Sequence, residues 1–245
     1  MKTVLELLKS HRSIRSYSEK PIPENLLFDI LSAGQSAATS SNIQAVTIIR
    51  VTDMKIRESL CQVGGGQSYI KNAPEFFVFC ADLNRSYACC DMHEKEPVSG
   101  MTEQFIIATV DTSLVAQNVV IAAESSGLGI CYIGAMRNDP ARVCELLALP
   151  EHVYPVFGMC MGFPNQNPEV KPRLPLASIV RENSYNLDNE KELIEKYDET
   201  LNSYHQGRSE NTKTVIWSEV MSKLLAKESR PHMKEFLLNR GFKMR

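Results

Sequence analysis

Apolar residues along this chain recur first at helical spacing and then in short unbroken runs, and the two patterns alternate. The segment Val4-Leu5-Glu6-Leu7-Leu8 reads as a short amphipathic helix. Pro23 opens a second helix, whose stripe Leu26, Leu27, Ile30 and Leu31 runs up to Gly34. A polar loop of small residues over 35–41 leads into the β-branched run 46–51, a strand. Asp53 can cap a helix carrying Ile56, Leu60 and Val63 that ends at Gly64-Gly65-Gly66. After Pro74 the run Phe76-Phe77-Val78-Phe79-Cys80 is apolar at every position, which suits a strand covered on both faces. Residues 84–99 read as a loop or short excursion, followed by a long helix over 102–126 that Gly127 and Gly129 terminate. A strand over 130–135, a helix begun by Asp139-Pro140 with Val143, Leu146 and Leu147 inward, and a buried strand over 153–161 complete the series.

From Pro164 the pattern changes. Pro164, Pro168, Pro172 and Pro175 break up the chain, and beyond Glu182 it is polar and helical over 188–205, 214–227 and 231–240. This tail is too polar to hold a core of its own and is expected to wrap the body or a second copy of the chain. The division expected is a core over 1–181 and a helical extension over 182–245. The order α-α-β-α-β-α-β-α-β calls for an α+β or α/β sandwich around one sheet. It does not order the strands.

Composition narrows the function classes. The 245 residues are 43% hydrophobic and 23% charged, an ordinary globular balance, and the net charge of −2 argues against a nucleic-acid surface built on bulk charge. Glu6 interrupts the opening residues, so they do not resemble a secretion signal. The most apolar long stretch, 105–123, contains Asp111, Gln117 and Asn118 and reads as a buried helix, not a membrane span. Seven cysteines without regular spacing point to free thiols in a reducing compartment, the cytoplasm. Cys89-Cys90 with His93 lacks further ligands at metal spacing and reads as a surface loop; no metal is expected.

Four clusters carry candidate chemistry. His11-Arg12-Ser13-Ile14-Arg15 packs cations and hydroxyls densely enough to cradle a phosphate, and equally fits a helix end whose cations complement the dipole. Lys171-Pro172-Arg173 repeats the paired cations in a stiff segment; alone it is a solvated loop. Thr39-Ser40-Ser41-Asn42-Ile43-Gln44 can read the edge of a heteroaromatic ring or simply turn the chain. Gly64-Gly65-Gly66-Gln67 permits close backbone approach to a ligand or ends a helix. It matches neither common glycine-rich nucleotide fingerprint. The absence of G-x-S-x-G, H-E-x-x-H and C-x-x-C removes most support for serine hydrolase, zinc protease and thioredoxin-like chemistry.

Taken together and in order, these clusters resemble the nitroreductase family, in its oxygen-insensitive, NADPH-preferring branch of nitroreductases and NADPH–FMN reductases. The segments HRSIRSYSEKPI, GGGQSYIKNAPEFFVFCADLNR, AAESSGLGICYIGAMRNDP, KPRLP, YDETLNSYHQGRS and KESRP carry the resemblance across nearly the whole chain. It implies an α+β fold with a mostly antiparallel central sheet flanked by helices, a helical C-terminal excursion, and a homodimer with shared FMN sites. It implies tightly bound FMN, held by His11, Arg12, Ser13 and Arg15, with Arg15 toward the N1/O2 edge. Gln67, Tyr69, Tyr132, Ile133, Gly134, Lys171 and Arg173 would complete the site, with the Gly134 backbone at flavin N5. Thr39, Ser40, Ser41, Asn42 and Gln44 would reach the flavin from the partner subunit. Arg208, Lys213 and Arg230 would bind NADPH, although Gly207-Arg208 reverses the family's usual Arg-Gly order, and Ala38 stands where the family often has proline. The activity implied is ping-pong reduction of flat acceptors (nitroaromatics, quinones, flavins) by hydride transfer through FMN, with no catalytic side chain. The alternatives are a supplier of free reduced flavin and a non-catalytic flavin sensor.

Overall fold

A computed structural model describes residues 3–207 and 213–245. They form two compact units, residues 3–168 with 230–245, and residues 169–229.

The first unit is built on a four-stranded sheet of β1 (Val46–Arg50), β2 (Glu75–Asp82), β3 (Gly129–Ile133) and β4 (Val153–Gly162). Their spatial order is β1-β2-β4-β3, and every neighbouring pair is antiparallel. All eight residues of β2 are buried, and its apolar run Phe76–Ala81 suits a doubly covered strand. The pleat sends alternate side chains to opposite faces. Phe76, Val78 and Cys80 pack with Leu60, Ile70 and Met136, while Phe77 and Phe79 pack with Leu27, Ile30, Val115 and Val119. Phe76, Phe77 and Phe79 have no accessible surface, and each contributes about 1.5–3 kcal/mol by burial.

The helices of this unit are α1 (Val4–Lys9), α2 (Glu24–Gln35), α3 (Met54–Val63), α4 (Tyr69–Asn72), α5 (Asn84–Met92), α6 (Thr102–Ser125) and α7 (Pro140–Leu146). Asp53 caps α3 by accepting from the N–H groups of Lys55 and Ile56. α6 lies on the sheet through Ala108, Asp111, Thr112, Val115, Ala116, Val119, Val120 and Ala123, so the apolar stretch is a core helix. Its other face leaves Ile106, Val110 and Leu114 exposed.

Residues 84–92, expected within a loop or short excursion, form the helix α5. Asp82 accepts from the Asn84 N–H and starts α5, and Tyr87 alone anchors it on the apolar core. With a single anchor, no helical stripe is visible in the sequence.

The second unit holds α8 (Leu176–Ile179), α9 (Glu190–Gln206) and α10 (Trp217–Leu225). Tyr197, Leu201 and His205 are the buried residues of α9, and Tyr197 meets Trp217 edge-on. The chain then returns to the first unit as α11 (Met233–Asn239), where Phe236, Leu237 and Phe242 join the core.

Candidate functional site

After α1 the chain runs beside edge strand β3. Ser13 bridges Ile130 in parallel register, and the Ile14 N–H donates to the Ile130 carbonyl at 2.8 Å. Ile14 is buried, and Tyr17 donates to its carbonyl at 2.6 Å. Gly129 permits this approach: a Cβ there would come within 2.4 Å of Ile14 Cγ1. Burying Ile14 while its neighbours alternate outward leaves Arg15 exposed and His11, Arg12 and Ser13 half-buried along the strand.

Each polar member of this strip has its own surroundings. His11 Nδ1 lies 2.6 Å from Glu124 Oε1, near the end of α6. Arg12 donates to the Asn167 side chain and, at 3.0 Å, to the Pro168 carbonyl. Among the described residues no carboxylate pairs with Arg15. Its guanidinium instead sits against the hydroxyl of Tyr69, pulling that group's pKa down while burial raises it more strongly. Burial also pushes the Tyr132 hydroxyl up.

Tyr69 is placed by the turn before it. Gly65 and Gly66 both have positive φ (74° and 77°), which lets α3 end and the chain reverse at Gln67. Tyr69 then donates to Gln67 Oε1 at 2.5 Å, and the Cys160 thiol donates to the Tyr69 carbonyl. At the end of β3, Gly134 begins a short 3-10 turn, Gly134–Arg137. Arg230 donates through Nε and Nη2 to Asn138 Oδ1 at 3.1 and 3.0 Å, and Asn138 in turn donates to the Val63 carbonyl. Burial, reinforced by Arg230, depresses the pKa of Arg137, whose Nη1 donates to the Val156 carbonyl.

His11 to Arg15 therefore lie along β3, with Tyr132, Ile133 and Gly134 in or just after that strand. Gln67 and Tyr69 meet the strip through Arg15, and Arg230 meets the following turn through Asn138.

The segment Thr39–Gln44 lies elsewhere, in front of β1 on the opposite sheet edge. Three strand spacings, roughly 14 Å, separate the two edges. Ser41, Asn42 and Gln44 have left-handed backbone (φ 48°, 58° and 55°), and Ser40, Ser41, Asn42 and Gln44 are exposed. The segment is fastened from below by Asp111. That carboxylate accepts from Thr39 Oγ1 at 2.5 Å and from the N–H groups of Ser40 and Ala45, both at 3.2 Å.

Lys171 and Arg173 belong to the second unit, both exposed. Arg173 donates to the Lys171 carbonyl, and Tyr197 of α9 fixes the Pro172 carbonyl between them at 3.0 Å. Lys213 is exposed, four residues before α10. Arg208 lies outside the described residues.

The sequence reading passed over Glu124, Asn138 and the structural part played by Asp111. One signal was available for Glu124: an acid in the last turn of a helix opposes the dipole and needs a local reason.

An antiparallel sheet between helices, with a cationic strip along one edge and a glycine turn beside it, defines an α+β protein equipped to hold an anionic ligand at that edge. Residues 8–163 match the model of the nitroreductase family, and residues 171–245 match that family's C-terminal domain. The chain belongs to the nitroreductase family. It is 43% identical over 245 residues to the oxygen-insensitive NADPH nitroreductase of Salmonella typhimurium, covering 100% of both chains. It is likewise 43% identical over 248 residues to the NADPH-flavin oxidoreductase of Vibrio harveyi, again covering 100% of both. Nitroreductase A from Vibrio parahaemolyticus superposes with a TM-score of 0.90 at 41% identity over 100% of each chain.

Proposed function

We propose that this chain is an FMN-dependent NADPH oxidoreductase that reduces flat acceptors, nitroaromatics, quinones and flavins among them, in a ping-pong cycle. The observation that carries the reading is the strip His11–Arg15, pinned along β3 by the Ile14–Ile130 hydrogen bond with the Arg15 guanidinium free of carboxylates among the described residues.

The donor set fits FMN. Exposed Arg15, half-buried Arg12 and Ser13, and the Tyr69–Gln67 pair offer charged and neutral donors for a phosphate, a polyol and a heterocycle edge. FMN, when bound, supplies the two-electron chemistry. Arg15 would offer the bound flavin a fixed positive charge, stabilising negative charge gained on reduction without reorganisation. His11 is oriented by Glu124, and Tyr69 by Gln67. The Gly134 backbone lies at the end of β3 without a side chain that would crowd a ring. Lys171 and Arg173 are the further cations of the flavin site in this reading, and the extension 182–245 supplies Arg208, Lys213 and Arg230 for the NADPH phosphates. No acid–base side chain is required.

The site is completed by a second copy of the chain. Because β1 and β3 are opposite edges, the segment Thr39–Gln44 serves the partner's strip, and the exposed apolar stripe Ile106, Val110 and Leu114 on α6 is covered in the homodimer.

The purified protein is expected to be yellow and to bleach anaerobically on addition of NADPH. A colourless protein that gains neither absorbance nor activity from added FMN refutes the proposal.

A further inference from the structure

We infer that Asp111 is a positioning residue. From within α6 its carboxylate sets the backbone conformation of residues 39–45 and, through it, the affinity for FMN; this second step rests on the function proposed above.

Three non-glycine residues in left-handed conformation within four positions, Ser41, Asn42 and Gln44, form an arrangement that a free segment abandons for lower-energy backbone. Here the two ends of the segment are tied to one point. Thr39 and Ser40 donate to Asp111 from the start of the segment and Ala45 from its end, while the Thr39 hydroxyl also accepts the Gln44 N–H at 2.9 Å. Arg85 secures the outer side by donating to the Gln44 carbonyl at 3.0 Å. The loop's backbone is thus pinned while the side chains of Ser40, Ser41, Asn42 and Gln44 face outward as a preformed polar platform.

Stability alone is a poor account of this carboxylate. Asp111 is 1% exposed, and its neighbours on the buried face of α6 include Ala108, Thr112 and Val115. A well-packed aliphatic residue there would avoid the desolvation cost of a carboxylate. What an aliphatic residue cannot do is accept three hydrogen bonds converging from two directions. Asparagine cannot either, since one of its two heteroatoms is a donor and would face an N–H or O–H group.

The test is Asp111→Asn in the full chain, with two readouts on the FMN-free protein: hydrogen exchange of residues 39–45 and titration with FMN followed by flavin fluorescence. Exchange is expected to accelerate in 39–45 while β2 and the 115–123 part of α6 stay protected. The FMN dissociation constant is expected to rise about tenfold, the scale of one lost hydrogen bond to a charged group. Unchanged exchange in 39–45 overturns the inference, as does accelerated exchange with FMN affinity held within about twofold. A lowered melting temperature with neither change marks Asp111 as merely structural and also overturns it. If Asp111→Asn does not fold, Thr39→Val and Thr39→Ser at the half-buried end of the network decide. Valine must accelerate exchange and serine restore it, and equal exchange in both and in the parent chain is the refuting result. A parent protein that binds no FMN defeats the functional reading, and the exchange experiment still judges the loop by itself.

Discussion

Substituting Gly129 by alanine puts the placement of the cationic strip to a quantitative test. The added Cβ would stand 2.9 Å from Ile14 Cβ and 2.4 Å from Ile14 Cγ1, the latter more than 1 Å inside the roughly 3.5–4.0 Å of ordinary carbon contact. Ile14 has no easy retreat, because its backbone is bonded to Ile130 at 2.8 Å and only 5% of the residue is exposed. Overpacking at such a point costs about 1–3 kcal/mol. Ile14→Ala alone leaves a cavity and costs about 2–5 kcal/mol. In the double variant the contacts with Cγ1 and Cγ2 are gone and only the 2.9 Å approach to the Cβ at position 14 remains, so its cost is expected to lie closer to that of Ile14→Ala alone than to the sum of the two single costs, a non-additivity of at most about 1–3 kcal/mol. Urea denaturation of the FMN-free proteins measures all four corners of this cycle. Gly129→Ala should also weaken FMN binding by about tenfold, near 1.4 kcal/mol, because the backbone carrying Arg12, Ser13 and Arg15 must move off the strand. Strictly additive stabilities would show that Ile14 does not pack on Gly129. Lost stability with intact FMN affinity would show that the strip is not part of the flavin site.

Three further expectations follow from exposure, charge and chemistry. Val110→Glu places a carboxylate in the exposed apolar stripe of α6; sedimentation should show monomers with little bound FMN, and a dimer that retains flavin contradicts the shared site. Burial pushes the Cys144 thiol up to about 11 and the Cys80 and Cys160 thiols higher still, so at about pH 8 these hold little thiolate while exposed Cys89 reacts. A disulfide reagent should therefore modify Cys89 well before those three in the native protein, and early labelling of Cys160 would contradict the burial. Arg208→Ala and Arg230→Ala should each raise the Michaelis constant for NADPH by about tenfold and leave that for NADH nearly unchanged, since only NADPH carries the 2′-phosphate. Equal effects on both refute the assignment.

Much of the architecture is legible in the sequence where burial dictates composition. Phe76 to Cys80 suits a doubly covered strand, and the carboxylate and amides at 111, 117 and 118 favour a core helix over a membrane span. Strand order is not legible, because a strand apolar on both faces carries no mark of its neighbours. α5 is missed because one anchoring tyrosine makes no periodic stripe. At the site, the cluster 11–15 stands out through its density of cations, yet residue types alone leave a helix-end role equally good. The resemblance tips that balance, and the Ile14–Ile130 bond gives it a physical form. Asp111 reads in sequence only as a polar interruption, since its three donors come from residues about seventy positions away.

The return of residues 230–245 to the first unit bears on the order in which the protein can be made. Phe236, Leu237 and Phe242 lie in the core, and Thr102 binds the carbonyl of Arg245, 143 residues later. During synthesis the sheet strands emerge long before these side chains do, and the core stays open on that side until residues 230–245 have been made. Stalled or truncated chains should accordingly expose apolar surface and depend on chaperones, although every strand of the sheet has already been made.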